Sequence, residues 1–174
     1  MSDYMIRDVR DDDAAELLRI YSYYVLNTAV SFEYEAPTVR EFCERIRKIT
    51  AKYPYLVCEK DGGIVGYVYA GEYSSREAYS WTVATSIYVK KELRRQGIGT
   101  MLYAELEKRL RDMGIVNLLA GAAYCENEDE YLTHDSYDFH AASGFHQVAR
   151  LETVGKKFGR WYDLVWMQKK ISEG

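Results

Sequence analysis

The sequence predicts one mixed α/β domain over residues 1–174, with seven strands and four helices in the order β, α, α, β, β, β, α, β, α, β, β. Three observations carry that expectation. Hydrophobic periodicity switches repeatedly between two and about 3.6 residues, so strands and helices are interleaved rather than segregated. A strand-like stretch ending near Lys90 feeds a glycine-containing turn and then a helical pattern. The length of 174 residues suits a single core that buries roughly two thirds of the unfolded chain's surface.

Tyr4 to Val9 alternates like a short strand, and Asp11, Asp12 and Asp13 then offer an N-cap and favourable charge to a helix. Ala14, Leu17, Leu18, Tyr21 and Val25 form that helix's apolar face, and the pattern ends near Asn27. The aromatic, acidic stretch from Asn27 to Pro37 has no period and reads as a loop. Thr38 and Glu41 make a capping box for a second helix whose stripe is Val39, Phe42, Ile46 and Ile49. Strands are expected from Tyr55 to Lys60, Ile64 to Tyr73 and Tyr79 to Lys90, the first pair joined by a turn at Asp61, Gly62 and Gly63. Helical period returns from Gly97 to Met113, burying Ile98, Leu102, Leu106, Leu110 and Met113, with Gly114 as C-terminal cap. Ile115 to Tyr124 reads as a strand covered on both faces. A polar loop from Cys125 to Asp135, a short helix from Ser136 to Ala142, and strands from Phe145 to Val154 and Trp161 to Lys170 complete the chain.

Composition narrows the partners. With 48% hydrophobic and 29% charged residues and 2 prolines, the chain is globular in character. Its apolar runs are shorter than the ~20 residues of a membrane span, and Met1 to Arg10 mixes charge with apolar residues, unlike a signal peptide. A net charge of −4 gives no long-range attraction to nucleic acid or to an anionic membrane. Cys43, Cys58 and Cys125 lack paired spacing and read as reduced thiols of a cytoplasmic protein. His134, His140 and His146 recur every sixth residue, which matches no metal-ligand spacing, so no metal is expected.

An anion site must therefore be local, and the turn Arg94-Arg95-Gln96-Gly97-Ile98-Gly99-Thr100 supplies one. Glycines at a helix start permit close backbone approach, and the free N–H groups and dipole of that start attract a diphosphate. Dinucleotide and Walker patterns both fail here, and a plain glycine turn with basic surface residues has the same composition.

The same segment resembles the acyl-CoA motif of the GNAT acetyltransferase superfamily, arginine or glutamine followed by x-x-Gly-x-Gly/Ala. Ser31 to Thr38, Ala78 to Val83, Ser86 to Val89 and Val154 to Trp161 are similar to its phosphinothricin acetyltransferase branch, and the likeness runs from about Ile6 to Met167. The resemblance implies the GNAT fold, a mostly antiparallel twisted central sheet, and acetyl-CoA as cosubstrate. It also implies a homodimer acting on a small-molecule amine, an amino acid or amino acid analogue of the phosphinothricin or methionine sulfone kind. A non-catalytic acyl-CoA-binding module and a protein or peptide N-acetyltransferase stay open as alternatives.

By the same resemblance Ile87, Tyr88 and Val89 offer main-chain groups to the pantetheine arm, and Asn127 and Ser136 join the turn in holding the cofactor, Asn127 across a longer loop than usual. His140 falls where the superfamily places its thiolate-protonating residue, and an imidazole titrates in the useful range. Phe32, Glu33, Tyr34, Arg76 and Tyr79 are the substrate-side candidates. Ala84 departs from the branch, which usually has a glutamate base there. That leaves a water relayed by Glu72, His140 or Tyr79, an amine arriving neutral, or a lost or changed activity. The acidic loop from Cys125 to Asp135 either borders the acceptor pocket and favours a cationic amine or is a solvated insertion.

Overall fold

The computed structural model describes residues 3–174; Met1 and Ser2, at the start of the segment considered above for a leader, lie outside it. Its strands are β1 (Met5–Asp8), β2 (Tyr55–Lys60), β3 (Gly63–Glu72), β4 (Thr82–Val89), β5 (Asn117–Tyr124), β6 (His146–Lys157) and β7 (Arg160–Lys170). The helices are α1 (Ala14–Asn27), α2 (Val39–Thr50), α3 (Ile98–Asp112) and α4 (Asp135–Ala142). One sheet runs in the order β1-β2-β3-β4-β5-β7-β6. Every pairing is antiparallel except β4 with β5, where α3 supplies the crossover a parallel pair requires.

Local chemistry accounts for the boundaries. Asp61 and Gly62 both take positive φ, 52° and 82°, as the tight turn between β2 and β3 demands. Thr38 Oγ1 accepts the Glu41 N–H at 3.1 Å while Glu41 Oε2 accepts the Thr38 N–H at 2.9 Å. Such a cap stabilises a helix by about 1 kcal/mol.

Two cores form, one on each face of the sheet. Leu102, Leu106 and Leu110 of α3 pack on Leu56, Val68 and Leu118. Leu17, Tyr21 and Val25 of α1, with Phe42 and Ile46 of α2, pack on Tyr55, Val57 and Tyr67.

Five local expectations are corrected. Val39 is exposed at the first position of α2, a turn before the buried Phe42, and Met113 is exposed because it caps α3 beyond the last turn. Asp13 makes no side-chain cap to α1. Its carboxylate accepts instead from Arg7 at 2.8 and 2.9 Å and from the Arg10 N–H at 2.7 Å, which depresses its pKa against the opposing effect of burial. Strand β5 is buried through Leu118, Ala120 and Ala122, but Gly121 on its other face is exposed, since α1 and α2 cover only β2 to β4. Finally, Glu77–Tyr79 forms a short 3-10 turn, so β4 starts at Thr82 and not at Tyr79.

Candidate active site

Pairing between β4 and β5 ends at Thr85 opposite Ala120. Past that point Ser86 to Val89 keep their partners on β3 but have none on the β5 side. The wedge so opened holds a space of about 50 Å³, bordered by Thr85, Ser86, Val30, Leu132, Ser136 and His140. A larger cleft of about 450 Å³ lies alongside, over the turn that starts α3. Ile87, Tyr88, Val89, Arg94, Arg95, Gly97, Ile98, Gly99, Thr100 and Ser136 all line it, so the structure brings together most of the residues expected at a cofactor.

The turn is built for an anion. Arg95 and Gly97 both adopt left-handed φ, 64° and 81°, a pattern that directs successive N–H groups into one concavity. Gly97 also N-caps α3 without a side-chain acceptor, so the first N–H groups of the helix are left for a ligand. The two glycines serve different ends. A Cβ at Gly97 would meet nothing within 4 Å, so its need is conformational, whereas a Cβ at Gly99 would lie 2.8 Å from the Phe139 ring. Glycine at 99 is what lets α4 close against the turn.

Two expected cofactor residues stand apart from this cleft. Gln96 Oε1 accepts a hydrogen bond from the Tyr4 hydroxyl at 3.1 Å, and Asn127 is not among the lining residues. Arg94 and Arg95 both reach Asp135 at the start of α4, at 3.6 and 2.7 Å, and Arg95 holds that carboxyl below its ordinary range. Asp135, Asp138, Phe139 and Tyr24 line the cleft but were not singled out by sequence, because no local pattern places α4 over the turn.

His140 is 4% exposed, and burial pushes its pKa below 6.5. Its Nδ1 lies 2.7 Å from the Ser136 carbonyl, which requires the N–H there. Nε2 therefore accepts from the Tyr103 hydroxyl at 2.9 Å, and Tyr103 in turn is 2.8 Å from Thr85 Oγ1. A continuous chain of three side chains thus runs from the wedge to the imidazole.

The substrate-side candidates fall into two groups. Phe32 packs so closely on Gly155 that a Cβ there would come within 2.6 Å of its ring. Glu33 accepts from Tyr21 and pairs with Arg45, which depresses its pKa, and the Tyr34 hydroxyl donates to the Lys156 carbonyl. Lys157, whose role sequence did not suggest, is buried and donates to the carbonyls of Val25 and Ser31 at 2.6 and 2.7 Å, fixing the β6–β7 hairpin to the end of α1. Arg76 and Tyr79 sit apart on the exposed connection between β3 and β4, with Tyr79 edge-on to Tyr73.

The acids of the loop after β5 have partners on other elements, although Glu126, Glu128 and Glu130 keep more than half of their side-chain surface in solvent. Glu126 pairs with Arg150, Glu130 and Asp129 with Arg160, and Glu128 accepts the His134 N–H. Tyr131 stacks on Phe158 at 4.0 Å between ring centres.

A splayed parallel pair with an anion turn at its mouth is a distinctive geometry, and residues 6–166 match the family model described as an acetyltransferase (GNAT) domain. The chain belongs to the GNAT acetyltransferase family. It is 38% identical over 170 residues to a phosphinothricin N-acetyltransferase of Alcaligenes faecalis, covering 97% of this chain and 83% of that one. An L-amino acid N-acyltransferase of Escherichia coli (strain K12) is 32% identical over 169 residues, 97% of this chain and 94% of that protein. Among solved structures, a GNAT phosphinothricin acetyltransferase of Sinorhizobium meliloti in complex with AcCoA superposes with a TM-score of 0.89 at 32% identity, covering 100% of this chain and 91% of that one. The mostly antiparallel seven-stranded sheet of this acetyltransferase, with its one parallel pair, is the GNAT fold.

Proposed function

We propose that this acetyltransferase moves the acetyl group of acetyl-CoA directly to the amine of a small molecule, an amino acid or amino acid analogue of the phosphinothricin or methionine sulfone kind. The observation that carries the proposal is the continuity of the anion turn, the free edge of β4 and the wedge, through shared lining residues Ile87, Tyr88 and Ser136. Acetyl-CoA supplies an activated acyl group as its thioester. The N–H groups at Gly97 to Thr100 hold the diphosphate, and the edge of Ile87, Tyr88 and Val89 that β5 leaves uncovered, where Tyr24 donates to the Val89 carbonyl, orients the pantetheine arm as an added strand. Substrate-side contacts come from Phe32, Glu33, Tyr34, Arg76 and Tyr79.

Proton transfer uses the chain's own hydroxyls. Alanine at 84 supplies no carboxylate. The ammonium proton passes to Thr85 Oγ1 as the Thr85 proton moves to Tyr103 and the Tyr103 proton to His140 Nε2, so each oxygen ends neutral and the imidazole carries the charge; the freed amine then forms the C–N bond as the C–S bond breaks, and its second proton goes to the departing thiolate. Neutral His140 is the form its burial favours. The exposed apolar residues Val148, Leu151 and Val154 on the edge strand β6 support a homodimer, which sedimentation would check, and the three free thiols support a cytoplasmic setting.

CoA release followed with a thiol reagent over a panel of small amines tests the activity. Stabilisation by acetyl-CoA without turnover on any amine would show a binding module instead. Ala84→Glu tests the proton route. With His140 already serving, the added carboxylate crowds the acceptor and kcat/KM should fall about tenfold. A rise approaching the ~10²-fold of a restored general base would overturn the relay.

A further inference from the structure

The cleft that takes the diphosphate also carries acid. Asp135 and Asp138, in the first turn of α4, line it together with Arg94, Arg95 and the glycine turn. Carboxylates in that place repel the same polyanion that the N–H groups of the turn attract.

Asp135 does more than add charge. Its Oδ1 accepts from Arg95 Nη2 at 2.7 Å and its Oδ2 lies 3.6 Å from Arg94 Nη1, so one carboxylate engages both guanidinium groups of the turn. Arg95 carries its side chain at a φ of 64°, where a Cβ is disfavoured. The turn thus keeps a cation at a position that glycine would occupy without strain. Asp138 lines the same cleft but has no ion pair among the described residues.

Three features let this pair exchange partners. The Arg95 side chain is 82% exposed and that of Arg94 40%, and ion pairs in such surroundings are weak. Once released, the Asp135 carboxylate stays favourably placed at the N-terminus of α4. Helix α4 also meets the turn at a second point that involves no charge, the Phe139 ring against Gly99. The arginines can therefore swing from Asp135 to a phosphate while α4 stays docked.

Resting on the reading of this cleft as the acetyl-CoA site, we infer that Asp135 competes with the diphosphate for Arg94 and Arg95 and so sets how tightly CoA is held. Each turnover ends with CoA in the cleft that acetyl-CoA entered, so the diphosphate must be held firmly enough to bind and loosely enough to leave. As a phosphate withdraws, the carboxylate takes over its cations. Asp135 is a positioning residue in this role, acting on the cofactor through the two arginines and taking no part in acetyl transfer.

The test is calorimetry of CoA binding to the wild type, Asp135→Asn, Asp138→Asn, Arg95→Ala and the double variant Asp135→Asn/Arg95→Ala. Asp135→Asn should tighten CoA by about three- to tenfold at about 20 mM salt, the range of one or two solvent-exposed ion pairs. At about 0.5 M salt, where such charges are screened, the gain should shrink below about twofold. In the Arg95→Ala background the same substitution should gain no more than about twofold, because the contested cation is gone. Asp138→Asn, which removes an equal charge from the same cleft, should gain less than Asp135→Asn. A purely structural loss at Asp135 would not tighten a ligand. Affinity unchanged or weakened in Asp135→Asn, an equal gain in Asp138→Asn, or an undiminished gain in the Arg95→Ala background would overturn the competition. No amine enters this measurement, so the two readings fail separately. Tightening by Asp135→Asn in a protein that acetylates no amine keeps the competition and removes the transfer, while turnover with a CoA affinity indifferent to Asp135 does the reverse.

Discussion

Gly99→Glu is expected to abolish acetyl-CoA binding, with no heat detectable by calorimetry at ligand concentrations that saturate the wild type. The added Cβ alone would lie 2.8 Å from the Phe139 ring, and the same ring lines the cleft. The carboxylate would then stand at a helix N-terminus whose free N–H groups are reserved for a diphosphate, so it both fills the site and cancels its field. Gly97→Ala should be milder. Nothing crowds a Cβ there, and the cost is the left-handed φ of 81°, on the order of 1 kcal/mol. A Gly99→Glu protein that folds with a normal circular dichroism spectrum and binds acetyl-CoA unchanged would refute the placement of the cofactor.

His140→Gln is expected to lower kcat by about 10²- to 10⁴-fold, the usual contribution of a positioned proton acceptor. Tyr103→Phe should reproduce much of that loss, because its hydroxyl links Thr85 to the imidazole. The pH profile carries the sign. Burial holds His140 below 6.5 in the folded protein, so wild-type kcat should be level down to about that pH and fall only below it.

Stability follows by linkage. The unfolded imidazole takes up its proton before the folded one does, so this contribution is complete above about 6.5 and is lost as pH falls from there toward the lower folded value. Urea midpoints at pH 7.5 and 5.5 should therefore differ less for His140→Gln than for wild type. An unaltered rate and pH profile in His140→Gln would leave the residue a packing role alone.

How far the sequence reaches can be judged from these same residues. The anion turn was readable because glycine spacing, a preceding strand and a following helix are all local in the chain. Helix α2 was readable from Thr38 and Glu41 for the same reason. Resemblance located His140, but not the hydroxyls of Tyr103 and Thr85, which lie 37 and 55 positions before it and meet it only through packing of α3 on the sheet. The pairing of the acidic loop was not readable, because partners such as Arg150 and Arg160 come from strands that its own composition does not reveal.

The clasp of Lys157 on Val25 and Ser31 spans 132 and 126 positions of sequence. Contacts of such separation form late, since the intervening chain must first be ordered. On the ribosome, the turn before α3 and the strands it joins emerge well before the hairpin that steadies Phe32 and Tyr34. A nascent chain halted before β6 thus carries the whole anion turn but only one side of the acceptor wall, and synthesis of β6 and β7 is what makes the two halves of the site meet.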